Sequence, residues 1–437
     1  MTASAIPGLA PQAAAAVAQL KPAHFELERI IRPNILSLAP YRCARDDYQS
    51  GILLDANENS LGHSLPGASQ ASGSGSNGAG AGAASLTASP AAAAAIDALG
   101  LNRYPDPSLF GVKPTLARLR GLPSEDHVML GVGSDEVLDL LQRITCRPGQ
   151  DKIMICPPTY GMYSVCAAVN DVQVVKVPLK TAGGDFGLDV PQILKTLAST
   201  PDIRLLFLCS PGNPTGTLLP LDAVREILEF PDWSGLVVVD EAYIDFAEEE
   251  LRLGKRAEQP SATSLLSEYK NVVVTQTLSK AFGLAAIRLG ICYGSPALIQ
   301  IINNTKAPYN ISVPTAHLAS LALSPEGLDL MRSNVRLLME NRDELIAGLK
   351  QLQCTGEILG ANDANFVLVQ VLDKARADGG RPSGERAEMC YKRMAEERGL
   401  VVRNRSKELG CAGCLRITVG TKEENAKCLE LMAELLG

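Results

Sequence analysis

The sequence predicts an α/β protein: a large domain around a mostly parallel central sheet, followed by a smaller α+β domain. Three observations carry this. From about residue 127 to 295, short apolar runs alternate with amphipathic stretches. Strands that are apolar along their whole length need cover on both faces, which crossover helices on a parallel sheet provide. Beyond residue 316 the pattern changes to one long helix and a few short, scattered strands. A length of 437 residues is long for one domain and ordinary for two.

Residues 1 to 20 are rich in Ala, Pro and Gln, and the first basic residue is Lys21. They match neither an Arg-rich presequence nor a secretory signal, and are expected to be a frayed arm. Residues 24 to 37 predict a short helix that ends at the bond before Pro33. Ile52-Leu53-Leu54 predicts a short strand running into Asp55-Ala-Asn-Glu-Asn59. The segment 61–95 is Gly, Ser and Ala with almost no bulky side chain. Such a composition cannot offset its ordering entropy, so a flexible insert is expected, with a helix opening between Pro90 and Leu99.

Strands follow at Val128–Leu130, Ile153–Cys156, Val172–Val177, Leu205–Cys209, Leu236–Val239, Val272–Thr275 and Leu289–Tyr293. Gly131-Val-Gly-Ser-Asp-Glu136 predicts a tight turn before a helix from Val137 to Thr145. A second helix is expected from Tyr160 to Asn170. Ser324-Pro325 has the form of an N-cap followed by proline at the first helical position. Met331, Val335, Leu338, Leu345 and Leu349 keep helical spacing on one face. Short strands are expected at Phe366–Val371, Leu400–Val402 and Leu415–Val419. Thr421-Lys-Glu-Glu424 is a capping box opening the last helix. The expected organisation is an arm with part of the small domain over 1–60, the insert, a large domain over 96–315 and a small domain over 316–437.

Hydrophobic residues make up 46% and charged residues 20% of the chain, with a net charge of −7. Interspersed charges without a basic stripe exclude a nucleic-acid binder. The longest apolar runs are strand-length, so no membrane span is expected. Eleven cysteines are scattered, several of them inside predicted elements, where thiols serve as small core hydrophobes. Cys411 and Cys414 form a Cys-x-x-Cys without a second ligand pair, so no metal site is expected. A reducing, cytoplasmic setting fits best.

In α/β sheets, ligands gather at the carboxyl ends of strands. Lys280 lies just past an apolar strand, among Thr277 and Ser279, with Arg288 shortly after. That group suits pyridoxal 5'-phosphate: the amine would form the Schiff base, and the hydroxyls and guanidinium would hold the phosphate. Taken alone, a lysine after a strand is more often a solvated loop residue; three other strand ends strengthen the reading. Ser134 and Asp135 open a helix whose free N–H groups suit a phosphate, although a lone Gly-x-Gly is also only a tight turn. Asn213 would hydrogen-bond the phenolic oxygen of the cofactor ring; its plain alternative is a Pro/Gly turn. Asp240 would pair with the pyridinium nitrogen, or else serve as a capping or salt-bridged aspartate. Tyr243 would donate to the same oxygen as Asn213, with core packing as its plain alternative, and Tyr160 would stack on the ring. Lys280, Asp240 and Tyr243 are the catalytic candidates.

These stretches together resemble the pyridoxal-phosphate-dependent aminotransferases of fold type I, and within them the histidinol-phosphate aminotransferases. The resemblance rests on Asp55-Ala-Asn-Glu-Asn59, Asn102-Arg-Tyr-Pro105, Gly133-Ser-Asp-Glu136, Pro158-Thr-Tyr-Gly-Met-Tyr163, Asn213-Pro-Thr-Gly216, Asp240-Glu-Ala-Tyr-Ile-Asp-Phe246, Thr277-Leu-Ser-Lys-Ala-Phe-Gly283, Ala364-Asn-Phe366 and Leu415-Arg-Ile-Thr-Val-Gly-Thr421. It runs from about residue 30 to the C-terminus. It implies the fold-type-I transferase fold and transamination between L-histidinol phosphate and 2-oxoglutarate, with glutamate as the returning product. It also implies a homodimer with shared active sites, in which Tyr104 reaches the phosphate of the neighbouring chain's cofactor. Arg416 matches the arginine that binds the substrate's acidic group, and Arg403 and Tyr41 match positions that help hold the substrate phosphate. The chain departs from the pattern after Asn59, where Ser60-Leu61-Gly62 replaces Pro-Tyr-Gly. An aromatic amino-acid aminotransferase, a phosphothreonine-type decarboxylase and a non-catalytic protein of this fold are the competing expectations.

Overall fold

The computed structural model describes residues 6–38, 94, 96, 98–109 and 111–436. Tyr41, the 52–59 stretch, nearly all of the 61–95 segment and most of Pro90–Leu99 lie outside the described residues.

Seven strands form the main sheet: β1 (Val128–Val132), β2 (Lys152–Ile155), β3 (Gln173–Lys176), β4 (Ile203–Cys209), β5 (Leu236–Asp240), β6 (Val272–Thr277) and β7 (Leu289–Tyr293). Their order is β1-β7-β6-β5-β4-β2-β3. β3, β2, β4, β5 and β6 are parallel, while β7 runs antiparallel to both β1 and β6. The expected α/β class and mostly parallel sheet are therefore present. Successive strand residues face opposite sides, and the sequence fills both sides with apolar groups. Val237, Val239, Val272 and Val274 enter one buried cluster, while Val238 and Val273 enter the other. Each such valine removed from water contributes on the order of 1.5–3 kcal/mol.

A second, antiparallel sheet has the order β10-β11-β9-β8, built from β8 (Thr355–Leu359), β9 (Phe366–Val371), β10 (Arg403–Asn404) and β11 (Cys414–Thr418). The Pro325–Gln351, Gly384–Arg398 and Lys422–Leu436 helices supply its core. Ser324 caps the first of these through Gly327 N at 3.1 Å. The capping box is reciprocal: Thr421 N donates to Glu424 Oε2 at 2.8 Å, and Glu424 N donates to Thr421 Oγ1 at 3.2 Å.

Four local expectations are corrected. The frayed arm is in part a helix, Pro11–Ala18, with proline at the first turn and four successive alanines favouring it. Ala14 and Val17 are buried there, and Asn304 Nδ2 holds Pro7 O at 2.9 Å. The 24–37 helix is two short ones, Leu27–Ile30 and Pro33–Leu36, because Pro33 starts a new helix instead of only ending the first. The turn before Val137 is already helical from Gly133. The strand expected at 400–402 forms at Arg403–Asn404 instead, where it pairs with β11.

Candidate active site

The carboxyl ends of β4, β5 and β6 meet the start of the Gly133–Thr145 helix and the face of β10 and β11. A cavity of about 390 Å³ lies between them. Lys280, three residues past β6, reaches it with its Nζ 5.7 Å from the centroid of the Tyr243 ring. Burial, and next the Arg416 charge, hold that amine below the usual lysine range.

One end of the cavity is made of helix-start N–H groups and hydroxyls. The Gly133–Thr145 helix has no side-chain cap, so its first N–H groups, at Ser134 and Asp135, lack that partner. Gly133 sits at φ +73°, and a Cβ there would lie 2.2 Å from the Arg288 guanidinium. A Cβ on Gly290 would meet the Gly133 backbone at 2.2 Å. These two glycines let helix start and β7 close on one another. Arg288 itself is left-handed, at φ +53°, which turns its side chain back to 3.5 Å from Asp135. Thr277 Oγ1 and Ser279 Oγ lie 2.8 Å apart, and Ser279 N donates to Thr277 Oγ1.

The floor is Asp240, 2% exposed at the end of β5. Two neutral hydroxyls reach it: Tyr163 donates to Oδ2 at 2.7 Å and Thr275 to Oδ1 at 3.1 Å. Burial raises the carboxyl above its ordinary range, against these donors, which favour the ionised form. Tyr163 stacks on Phe207 at 4.8 Å, and Tyr160 meets Tyr163 edge-on at 5.7 Å. The Tyr160 hydroxyl donates to Asp135 at 3.1 Å. Burial pushes the Tyr243 hydroxyl up to about 12, with Arg416 pulling the other way.

The opposite wall is cationic and comes from the second sheet. Arg403, Arg405 and Arg416 all line the cavity. Arg416 donates to Asn213 Oδ1 and lies 5.2 Å over the Phe366 ring. That contact joins the loop after β4 to β11. Burial, then Arg405 and Arg403, depress the Arg416 guanidinium. The Nε atoms of Arg405 and Arg416 are buried without a hydrogen-bond partner among the described residues.

Twelve of the sequence-predicted site residues thus line one cavity: Ser134, Asp135, Tyr160, Asn213, Asp240 and Tyr243 from the large sheet's near end, Thr277, Ser279, Lys280 and Arg288 from the end of β6 onward, and Arg403 and Arg416 across from them. Tyr104 does not line it; it is 52% exposed and stacks on Tyr309 at 4.8 Å. Tyr41 is outside the described residues. Sequence reasoning missed Tyr163 and Thr275 as supports of Asp240. Tyr163 stands three residues after Tyr160 in the same string, which was a usable signal. Thr275 ends the expected strand at the position paired with Asp240, which no local pattern reveals. Among the described residues no cluster fit to hold a metal ion occurs and no helix is long and apolar enough to cross a membrane.

Residues 73–431 match the family described as Aminotransferase class I and II. The chain is 45% identical over 419 residues to the histidinol-phosphate aminotransferase of Schizosaccharomyces pombe, covering 94% of this chain and 98% of that one. The same enzyme of Candida maltosa is 45% identical over 423 residues, with the same coverage. In three dimensions the fold is similar to histidinol-phosphate aminotransferase from Sinorhizobium meliloti in complex with pyridoxal-5'-phosphate. That match has a TM-score of 0.65 at 21% identity, and covers 77% of this chain and 83% of that one. With 45% identity over 98% of the length of two such relatives, and a family match over residues 73–431, the chain belongs to the histidinol-phosphate aminotransferases, within aminotransferase classes I and II.

Proposed function

We propose that this chain is a pyridoxal-phosphate-dependent enzyme that moves the amino group between L-histidinol phosphate and 2-oxoglutarate, giving imidazole-acetol phosphate and L-glutamate in L-histidine biosynthesis. The observation that carries it is one cavity holding Lys280 and the buried Asp240 at one side and three guanidinium groups at the other.

The residues fit the cofactor. Asp240 is a buried carboxylate reached by two hydroxyls and the Ala242 N–H, all neutral donors, and a protonated ring nitrogen is the cation that would complete its environment. The uncapped helix start, Thr277, Ser279 and Arg288 fit a phosphate. When bound, pyridoxal phosphate supplies the electron sink that makes the substrate's α-proton acidic. Tyr160 offers its ring to the cofactor ring, and Asn213 and Tyr243 supply donors for its phenolic oxygen. Lys280 Nζ, held below its usual range and so less fully charged, takes the proton from the substrate carbon that carries the amino group. Arg416 and Arg403 hold the substrate's acidic groups, and the resemblance gives Tyr41, outside the described residues, a share in holding the phosphate. The catalytic group is Lys280, Asp240 and Tyr243.

The division into a large domain over 96–315 and a small domain over 316–437 belongs to this reading. So do a homodimer in which Tyr104 reaches the neighbouring chain's cofactor phosphate, and a cytoplasmic setting. The test compares L-histidinol phosphate, phenylalanine and threonine phosphate as amino donors. Preference for L-histidinol phosphate is expected; a preference for phenylalanine, or carbon dioxide release from threonine phosphate, would move the substrate to one of the competing readings.

A further inference from the structure

The cationic wall holds one guanidinium more than the family resemblance assigns. Arg403 and Arg416 stand directly opposite one another in the β10–β11 ladder, so their side chains share a face of the sheet. Arg405 is two residues beyond Arg403, and its backbone N continues the pairing to Cys414 O at 2.9 Å. A period of two returns Arg405 to the same face. Three guanidinium groups therefore look into one cavity from one short ribbon.

Their partners do not balance them. Arg405 Nη1 bonds Glu408 Oε1 at 2.6 Å. Arg416 bonds the neutral Asn213. Arg403 is exposed and makes no ion pair among the described residues. One carboxylate faces three cations, which leaves about two positive charges. A phosphomonoester carries about −1.5 to −2 at neutral pH, whereas a carboxylate carries only one charge. Arg405 is also the better placed of the two arginines on β10 and just beyond. Its side chain is 21% exposed, braced by Glu408, and its Nε is buried with no partner. A guanidinium has five N–H donors, so the bond to Glu408 leaves most of the fork for a ligand.

We propose that Arg405 binds the substrate's phosphate and sets the preference for a phosphomonoester over an uncharged or carboxylate-bearing amine. This rests on the reading of the substrate given above. Arg405 adds a second partly buried guanidinium to Arg416, and Glu408 orients it.

The test is the ratio of kcat/KM for L-histidinol phosphate to that for L-histidinol, measured on the holoenzyme. L-glutamate is followed in parallel. Arg405→Gln is expected to lower the ratio by about 10- to 100-fold, through KM for L-histidinol phosphate, as loss of a charged hydrogen bond implies. The constants for L-histidinol should hardly move, and those for L-glutamate should move much less. An unchanged ratio, or an equal loss on all three donors, would overturn the assignment and leave Arg405 as a loop brace. If Arg405→Gln does not fold, Arg405→Lys keeps the charge without the fork. Its ratio is expected below wild type, and a wild-type ratio there would overturn the assignment as well. A wild-type chain that ignores L-histidinol phosphate removes the substrate reading itself, and Arg405's role with it. Wild-type turnover with an unchanged ratio in the variants removes only Arg405.

Discussion

Lys280 and Asp240 were legible because each is a polar residue placed where an apolar strand stops, and a strand end is a fixed position in an α/β sheet. Replacing Lys280 by Ala is expected to cut transamination by at least about 10³-fold, with circular dichroism and melting midpoint near those of the wild type. Retained turnover would remove the lysine from the mechanism. Tyr163 was less legible, since its role depends on the Met162–Val169 helix seating its hydroxyl 2.7 Å from Asp240. Tyr163→Phe leaves Asp240 with one hydroxyl donor, a loss of about 1.5–3 kcal/mol for a bond to a charged group. Equilibrium titration with pyridoxal phosphate is expected to show weaker binding; unchanged affinity would mean that Thr275 and the Ala242 N–H suffice. Glu241, next along the chain, gives a pH prediction. Burial lifts its carboxyl to about 7, against bonds from Ala262 N, Ser261 and Gln276. Between its ordinary value near 4.5 and about 7, the folded chain holds a proton that the unfolded chain has released. This group's contribution therefore weakens stability as pH rises through that window. Denaturant midpoints of wild type and Glu241→Gln, compared from pH 4.5 to 7.5, are expected to differ in slope, with the steeper decline in wild type.

The apolar strands were readable as elements, because a run such as Val272–Val274 has few other places to go. β8 was not, since Thr355-Gly-Glu-Ile-Leu359 sits at a sheet edge with a mixed burial pattern and carries no clear alternation. The amino-terminal helix was hidden because alanines carry little apolar signal, and its stability comes from packing on the Pro296–Thr305 helix. The Gly133 turn is the element on which the proposed phosphate site depends. Gly133→Ala places a Cβ where Arg288 now lies, at a backbone angle that side chains rarely adopt. Cofactor affinity is expected to fall by tenfold or more, read by the same titration, while Gly161→Ala, where nothing lies within 4 Å of the added carbon, serves as the neutral control. At the last helix, Thr421→Ala removes one side of the capping box and is expected to cost about 1 kcal/mol in denaturant unfolding. A change near zero would show that Glu424 holds the helix start alone.

Over the whole molecule, strand order was beyond local reading: nothing in the sequence of β7 states that it inserts between β1 and β6. Nor could spacing alone show that Arg403 and Arg405 share the face of Arg416; the register of β10 on β11 was needed. The cavity exists because two sheets meet, with Asn213 from one bonded to Arg416 from the other. Gly360 shows how closely they approach: a Cβ there would lie 1.6 Å from Thr215 O, in the Asn213-Pro-Thr-Gly216 loop. The same cavity supports both the cofactor and the substrate assignments, so one spectroscopic experiment reaches both. The purified chain is loaded with pyridoxal phosphate, and its visible absorbance is followed as L-histidinol phosphate is added without a keto acid. The account predicts that the visible band falls as the cofactor passes to its pyridoxamine form, and that 2-oxoglutarate restores it. A band that ignores L-histidinol phosphate but responds to phenylalanine, or no band at all after loading, would contradict it.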